Sequence, residues 1–200
     1  MGKGRLEAFS DGVLAIIITI MVLEMKVPHG NDLAAIKPIL PVFLSYILSF
    51  INIGIYWNNH HHMLHTATHV NGAVLWTNTH LLFWLSLIPF VTGWMGENHF
   101  AMWPVVLYGM VLIMAGVAYT LLCFSLINLH GKNSTLAIAV GKDKKGKASV
   151  FIYAIGISLS FINPWLGFAA YVIVAAMWFI PDKRIEEKLT KEEPANAKTN

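Results

Sequence analysis

The segment that decides the fold reads RLEAFSDG at residues 5–12 and continues into the apolar run VLAIIITIMVL at residues 13–23. Arg5, Glu7 and Asp11 therefore stand at the entrance of a predicted apolar helix. In a soluble protein this pattern is typical of a capped core helix. In a bilayer a charge at this position is costly and needs a partner. The pattern predicts that later segments supply such partners.

The composition places the chain among integral membrane proteins. Of its 200 residues, 56% are apolar and 12% are charged, whereas about 25% of the residues in a soluble domain are charged. The mean hydropathy is +0.59. A single cysteine excludes a disulfide framework and a thiolate metal cluster. The small net charge of +3 and the clustering of basic residues in one loop and the tail indicate membrane orientation rather than nucleic-acid binding.

Apolar segments separated by turn-forming and polar residues predict an all-α integral membrane protein with six transmembrane helices. The fifth and sixth segments are short for a hydrocarbon core of about 30 Å, so a single re-entrant hairpin is the alternative for that pair. The six segments cover residues 5–26, 36–60, 72–94, 102–129, 148–162 and 166–180.

The basic residues predict the orientation of this multi-pass chain. With six spans, the N-terminus, the lysine-rich loop 131–147 and the tail share one side of the membrane. The positive-inside rule makes that side cytoplasmic. We therefore predict a transmembrane unit over residues 1–185, with both termini in the cytoplasm, and a polar, disordered cytoplasmic tail over residues 186–200.

Polar side chains in the first three segments are predicted to meet. Arg5, Ser10 and Asp11 begin segment one, Trp57 and His60 end segment two, and Asn78 lies in the cytoplasmic half of segment three. These residues therefore lie at a similar depth, and in lipid each needs a hydrogen-bond partner. Such a network either fixes how three helices pack or relays protons, and the residues favour the packing interpretation.

Five histidines fall within ten residues, from His60 to His69. On a helix His61, His65 and His69 would share one face, a spacing that suits a metal ion. However, the chain has no Asp or Glu between Asp32 and Glu97 to complete such a site. A structural role is favoured over a metal site or proton sensing, and we predict no metal and no cofactor.

No pattern in the chain favours catalysis. Asp11 and Glu24, the carboxylates of the first apolar segment, are thirteen residues apart, about 20 Å along a helix, which is too far for an acid–base pair. Nucleophile-elbow, P-loop and paired-histidine metalloprotease motifs are absent. The potassium-channel filter TVGYG is also absent. The chain is predicted not to be an enzyme and to have no conventional ion filter.

The first segment can be laid out as a helix. Ile16, Thr19, Ile20 and Leu23 then fall within one arc of about 100°, with Asp11 about 140° from Ile16. Such an arc would suit a pore lined by apolar rings. Since every face of the segment is apolar, an ordinary packed helix remains the alternative.

The motif Arg5-x-x-x-Phe9-Ser10-Asp11 at the start of the first membrane helix resembles the signature of the transmembrane protein 175 family of potassium channels. The resemblance extends to Trp57 and the histidines that end segment two, and to Asn78 and the pattern Ser86-x-x-Pro89 in segment three. It covers roughly residues 5–94.

This resemblance implies a homotetramer of six-helix units whose first helix lines the pore. The family's hydrophobic layers lie five, nine and twelve residues after the motif aspartate, which gives Ile16, Ile20 and Leu23 as the constriction. A hydroxyl-bearing residue eight after the aspartate gives Thr19 as a pore-lining polar group. The resemblance also implies a structural network in which either or both of two histidines take part; its members are Arg5, Phe9, Ser10, Asp11, Trp57, His60, His61 and Asn78.

The sequence therefore predicts a homotetrameric, potassium-permeable channel that conducts monovalent cations passively across the lipid bilayer of a cell membrane. The alternative is a proton-coupled secondary transporter that uses Asp11 and the histidine cluster. A structural or metal-binding membrane protein is the third possibility.

Overall fold

The computed structural model describes residues 2–141 and 143–179, most of which are helical. Within those ranges no residue forms a strand, which confirms the all-α class. A 3-10 helix, Leu33–Ile39, precedes the second α-helix. The α-helices are α1 (Gly4–Leu23), α2 (Leu40–His65), α3 (Gly72–Ser86), α4 (Ile88–Glu97), α5 (Met102–His130), α6 (Thr135–Val140), α7 (Lys144–Ser160) and α8 (Pro164–Phe179).

Four helical stretches in the described part of the chain are long and apolar enough to cross a membrane: Gly4–Leu23, Leu33–His65, Gly72–Glu97 and Met102–His130. The chain is therefore a multi-pass membrane protein. Helices α7 and α8 have 17 and 16 residues, so at 1.5 Å per residue each extends about 25 Å. They are shorter than a typical hydrocarbon core of about 30 Å, and their crossing of the membrane stays a prediction.

Proline divides the third stretch into α3 and α4. Pro89 lies in the first turn of α4 and lacks the backbone N–H that would bond to the carbonyl of Leu85. The break falls at Leu87, between the two helices. At the other end of α3, the side chain of Asn71 caps the helix by accepting the N–H of Val74 at 3.0 Å.

Helix α5 lies at the centre of the fold and contacts α3, α4, α7 and α8. Tyr171 of α8 is fully buried and donates to the carbonyl of Val105 on α5 at 3.1 Å. Gly109 makes room for that ring, since a Cβ there would overlap the Tyr171 phenol. Gly167 similarly lets α8 approach α7, because a Cβ there would lie 2.7 Å from the Gly156 carbonyl oxygen.

Two predicted boundaries change. The prediction that the second helix ends near residue 60 is wrong, because α2 continues to His65 with the histidines inside it. His69 lies beyond that end, so the face predicted for His61, His65 and His69 does not form. The loop 131–147 contains α6 and the first turn of α7. The predicted tail, 186–200, and the predicted end of the transmembrane unit at residue 185 lie outside the described residues.

Candidate functional site

Helix α1 has one buried face and one exposed face. Its buried residues recur at the spacing of a single helical stripe, and the helix contacts α2, α3 and α4. The buried stripe consists of Leu6, Ser10, Leu14, Ile17 and Met21. A single serine therefore lies in an otherwise apolar contact, and its hydroxyl needs partners there.

Ser10 is held in a chain of hydrogen bonds that joins α1, α3 and α2. Its hydroxyl donates to the carbonyl of Leu6 at 2.8 Å, so its oxygen accepts from Nδ2 of Asn78 at 3.0 Å. Oδ1 of Asn78 lies 2.7 Å from Nε2 of His60. Because that oxygen is an acceptor, Nε2 is the ring nitrogen that carries the hydrogen. All three side chains are buried, and each link has a defined direction.

A second polar contact joins α1 and α2 closer to the surface. Nε1 of Trp57 donates to Oδ1 of Asp11 at 3.0 Å. The Trp57 ring stacks on His61, with ring centroids 6.0 Å apart. The sequence did not decide which of the two histidines joins the network. In the structure His60 bonds to Asn78, whereas His61 stacks on Trp57, the residue that bonds to Asp11.

Arg5 and Phe9, the remaining motif residues, lie apart from both contacts. Both side chains are exposed, and Arg5 forms no hydrogen bond or ion pair with the described part of the chain. Lys3 instead binds the carboxyl end of α2: its ammonium donates to the carbonyls of Leu64 at 2.9 Å and His65 at 3.2 Å. A cation suits the carboxyl end of a helix, where carbonyls are unpaired.

The four residues predicted to line a pore lie on the exposed side of α1. Ile16 is 58% exposed, Ile20 is 41% exposed and Leu23 is 80% exposed. Thr19 is exposed as well, and its hydroxyl donates to the carbonyl of Ile16 at 2.9 Å. The polar contacts through Ser10 and Asp11 therefore hold α1 with these four side chains turned away from their own chain.

The structure also contains a buried polar chain that the sequence did not indicate. The hydroxyl of Thr92 donates to the carbonyl of Ile88 at 2.6 Å. Ser49 therefore donates to Thr92, 2.6 Å away, and accepts from the hydroxyl of Tyr108 at 3.0 Å. This chain joins α2, α4 and α5. Its residues could be recognised as polar groups in apolar segments, but the sequence does not show which of them meet.

The histidine-rich end of α2 does not assemble a metal site. The ring centroid of His61 lies 5.6 Å from that of His62 and 6.2 Å from that of His65. Across the residues described, no three His, Cys, Asp or Glu side chains converge on one point. His69 packs against His130 of α5, with centroids 4.8 Å apart. Nε2 of His130 accepts the N–H of Thr68 at 3.2 Å. His69 and His130 therefore connect the segment after α2 with the end of α5.

Comparison with known proteins identifies the family. The family profile described as endosomal/lysosomal potassium channel TMEM175 matches residues 5–89. A protein of Chryseobacterium sp. (strain P1-3) described as a potassium channel is 57% identical over 189 residues, which cover 94% of this chain and 98% of that protein. The chain belongs to the TMEM175 family. The matched residues include the whole motif and both polar contacts of α1.

Two further relatives place this TMEM175 chain within the family. The crystal structure described as a lysosomal potassium-selective channel TMEM175 homolog from Chamaesiphon minutus superposes with a TM-score of 0.77 and 26% identity, over 89% of this chain and 96% of that one. The human protein described as the endosomal/lysosomal proton channel TMEM175 is 33% identical over 101 residues, 44% of this chain but 20% of the human protein. This TMEM175 chain thus matches the Chryseobacterium and Chamaesiphon proteins over nearly their full length.

Proposed function

We propose that this chain is a potassium-permeable cation channel that conducts passively and without a P-loop filter. Relatives that match nearly the whole chain are described as potassium channels. Their descriptions do not support the proton-coupled transporter alternative. Channels transport ions without making or breaking covalent bonds, so the protein is not an enzyme. The multi-pass topology and the prokaryotic relatives support a location in the cell membrane, with both termini in the cytoplasm.

We propose further that the protein works as a homotetramer of six-span subunits in which the four copies of α1 surround the conduction pathway. The observation that carries this proposal is the division of α1 into an anchored face and a free apolar face. Ile16, Ile20 and Leu23 are separated along the helix by about 6 and 4.5 Å, so four copies would form three successive apolar rings. Rings of this kind hinder the passage of hydrated ions.

Thr19 would supply the polar group of this pathway. Its hydrogen is donated to a carbonyl of its own helix, which leaves the oxygen lone pairs for a partly dehydrated cation. The face beside it, with Gly4, Ala8, Gly12 and Ala15, is exposed. Small residues allow close approach of neighbouring membrane helices, so this face suits the contact between adjacent subunits.

Ion flux into liposomes and bilayer recordings test the pathway. In Ile16→Ala and Leu23→Ala the apolar rings widen, so we expect a changed potassium flux and a lower potassium-to-sodium permeability ratio under a bi-ionic gradient. Val22→Ala is the matched control, because Val22 is also exposed but lies about 100° from Leu23 around the helix. Unchanged flux and selectivity in both ring variants would show that α1 does not form the constriction.

A further inference from the structure

A cavity of about 780 Å³ opens on the side of the fold formed by α5, residues 140, 141 and 143, the start of α7 and the end of α8. We call it the α5–α7 cavity. Apart from Asn59 of α2, the residues that line it come from these elements, and none belongs to α1, α3 or α4. It is therefore separate from the face of α1 proposed to line the conduction pathway.

The α5–α7 cavity has a basic end. Lys144, Lys145 and Lys147, at the start of α7, line it. Among the described residues that line the cavity, they outnumber the one carboxylate, that of Asp143, whose Oδ1 accepts the N–H of Gly146 at 2.9 Å as the cap of α7. Lys144 and Lys147 are exposed and form no ion pair within the described ranges.

The wall of the α5–α7 cavity is apolar. Val117, Leu121 and Phe124 of α5 are exposed, line the cavity and recur at a spacing of four and three residues, which puts them on one helix face. Phe124 lies about 9 Å, and Val117 about 20 Å, from the last residue of α5. The wall therefore runs from the membrane surface into the hydrocarbon region.

An aromatic ring lies where the basic end meets the apolar wall. Nε1 of Trp178 donates to the hydroxyl of Ser149 at 2.7 Å, which in turn donates to the carbonyl of Lys145 at 2.8 Å. The ammonium of Lys145 lies 5.8 Å from the centroid of the Trp178 ring. Tryptophan is enriched at the level of lipid headgroups, so the Trp178 ring marks that level in the cavity.

We propose that the α5–α7 cavity binds an anionic phospholipid. The phosphate-bearing headgroup lies on the lysines at the start of α7, and an acyl chain lies along Val117, Leu121 and Phe124. Basic pockets between membrane helices on the cytoplasmic side are suited to anionic headgroups. A soluble anion would use the lysines but not the apolar wall, whereas a phospholipid matches both ends of the cavity.

Native mass spectrometry of the detergent-solubilised protein tests this site. The protein is titrated with phosphatidylglycerol or with phosphatidylcholine that has the same acyl chains, and we expect phosphatidylglycerol to bind more tightly. For Lys144→Gln/Lys147→Gln we expect binding about thirtyfold weaker, since each lysine near a headgroup contributes about fivefold. Lys37→Gln/Lys132→Gln removes two exposed lysines elsewhere and should leave the preference unchanged.

A second pair of variants tests the apolar wall without altering charge. Leu121→Trp places a bulky ring on the apolar wall, where the acyl chain would lie, and should weaken binding. Met110→Trp adds the same side chain at an exposed position of α5 outside the cavity and should not. Equal binding of the two lipids by the wild-type protein would overturn the proposal, and that comparison needs no variant. The proposal would also be overturned if Lys144→Gln/Lys147→Gln and Lys37→Gln/Lys132→Gln lost phosphatidylglycerol binding equally. Displacement of the lipid by inorganic phosphate alone would overturn it too.

Discussion

The substitution Asn78→Leu isolates the contribution of the polar chain that anchors α1. Leucine is branched at the same carbon as asparagine but has neither of its polar groups. The variant loses the bond from Nδ2 to Ser10 and the bond between Oδ1 and His60. Ser10 still donates to the carbonyl of Leu6, whereas the buried ring of His60 loses the partner of its Nε2. The variant should therefore destabilise the packing of α1, α2 and α3 together.

The expected loss can be worked out from these contacts. Hydrogen bonds between membrane helices contribute about 0.6 kcal/mol on average and up to about 1.7 kcal/mol, so the two bonds contribute about 1.2 kcal/mol. Leaving the buried His60 ring without a partner for its Nε2 costs about 1–3 kcal/mol more. The free energy of unfolding should therefore fall by about 2–4 kcal/mol. The single bond between Ser10 and Asn78, measured by the double-mutant cycle of their alanine variants, should give a coupling energy of about 0.6 kcal/mol.

Reversible unfolding in mixed micelles, followed by tryptophan fluorescence, measures both quantities. Asn128→Leu is the matched control, because Asn128 is exposed on α5 and its side chain forms no hydrogen bond within residues 2–141 and 143–179. The effect of this control should stay within about 0.5 kcal/mol. The reasoning fails if Asn78→Leu destabilises the protein no more than this control does. It also fails if the cycle gives no coupling between Ser10 and Asn78.

Three other predictions concern packing, a buried hydroxyl and a surface charge. Gly167→Ala should lower stability by about 1–3 kcal/mol in the same unfolding assay, because the added Cβ would overlap atoms of α7. Gly93→Ala is the control, since Gly93 has open space around it, and it should not lower stability. Equal effects of the two variants would contradict the close packing of α7 and α8. Tyr108→Phe should cost about 0.6 kcal/mol through loss of its bond to Ser49, and no loss would show that this bond contributes nothing. The hydrogen bond and the charge of Glu97 raise the pKa of Lys26, so Glu97→Gln should lower that pKa and speed acylation of Lys26 at alkaline pH; an unchanged rate would show that the ion pair does not form in solution.

The sequence predicted those features that depend on local pattern or on depth in the membrane. Ser10, Asn78 and His60 were grouped because each needs a partner in lipid and all lie at a similar depth, and their contact follows from that need. The exposed arc of α1 was one of several possible faces, since periodicity cannot choose among faces that are all apolar. Its orientation became visible only with the packing of Leu14 and Ile17.

Other features depend on tertiary contacts that a sequence does not encode locally. Nothing in the histidine run stops a helix, so the end of α2 at His65 depends on the non-helical segment 66–71 and on the amine of Lys3 at its last carbonyls. The family motif implied a side-chain partner for Arg5, whereas within the described residues the Arg5 side chain has none and Lys3 instead binds two backbone carbonyls at the end of α2. The meeting of Ser49 and Tyr108 depends on the relative register of α2 and α5, which only packing determines.

The fixed direction of the hydrogen bonds from His60 has a consequence for proton movement. A proton wire needs each link to take up a proton on one side, release one on the other and then reorient. The carboxamide of Asn78 releases no proton at physiological pH, and the hydroxyl hydrogen of Ser10 ends on a backbone carbonyl, which has none to pass on. A proton that reached His60 would therefore find no exit through α1. These side chains therefore hold α1, α2 and α3 together without offering a proton route between them.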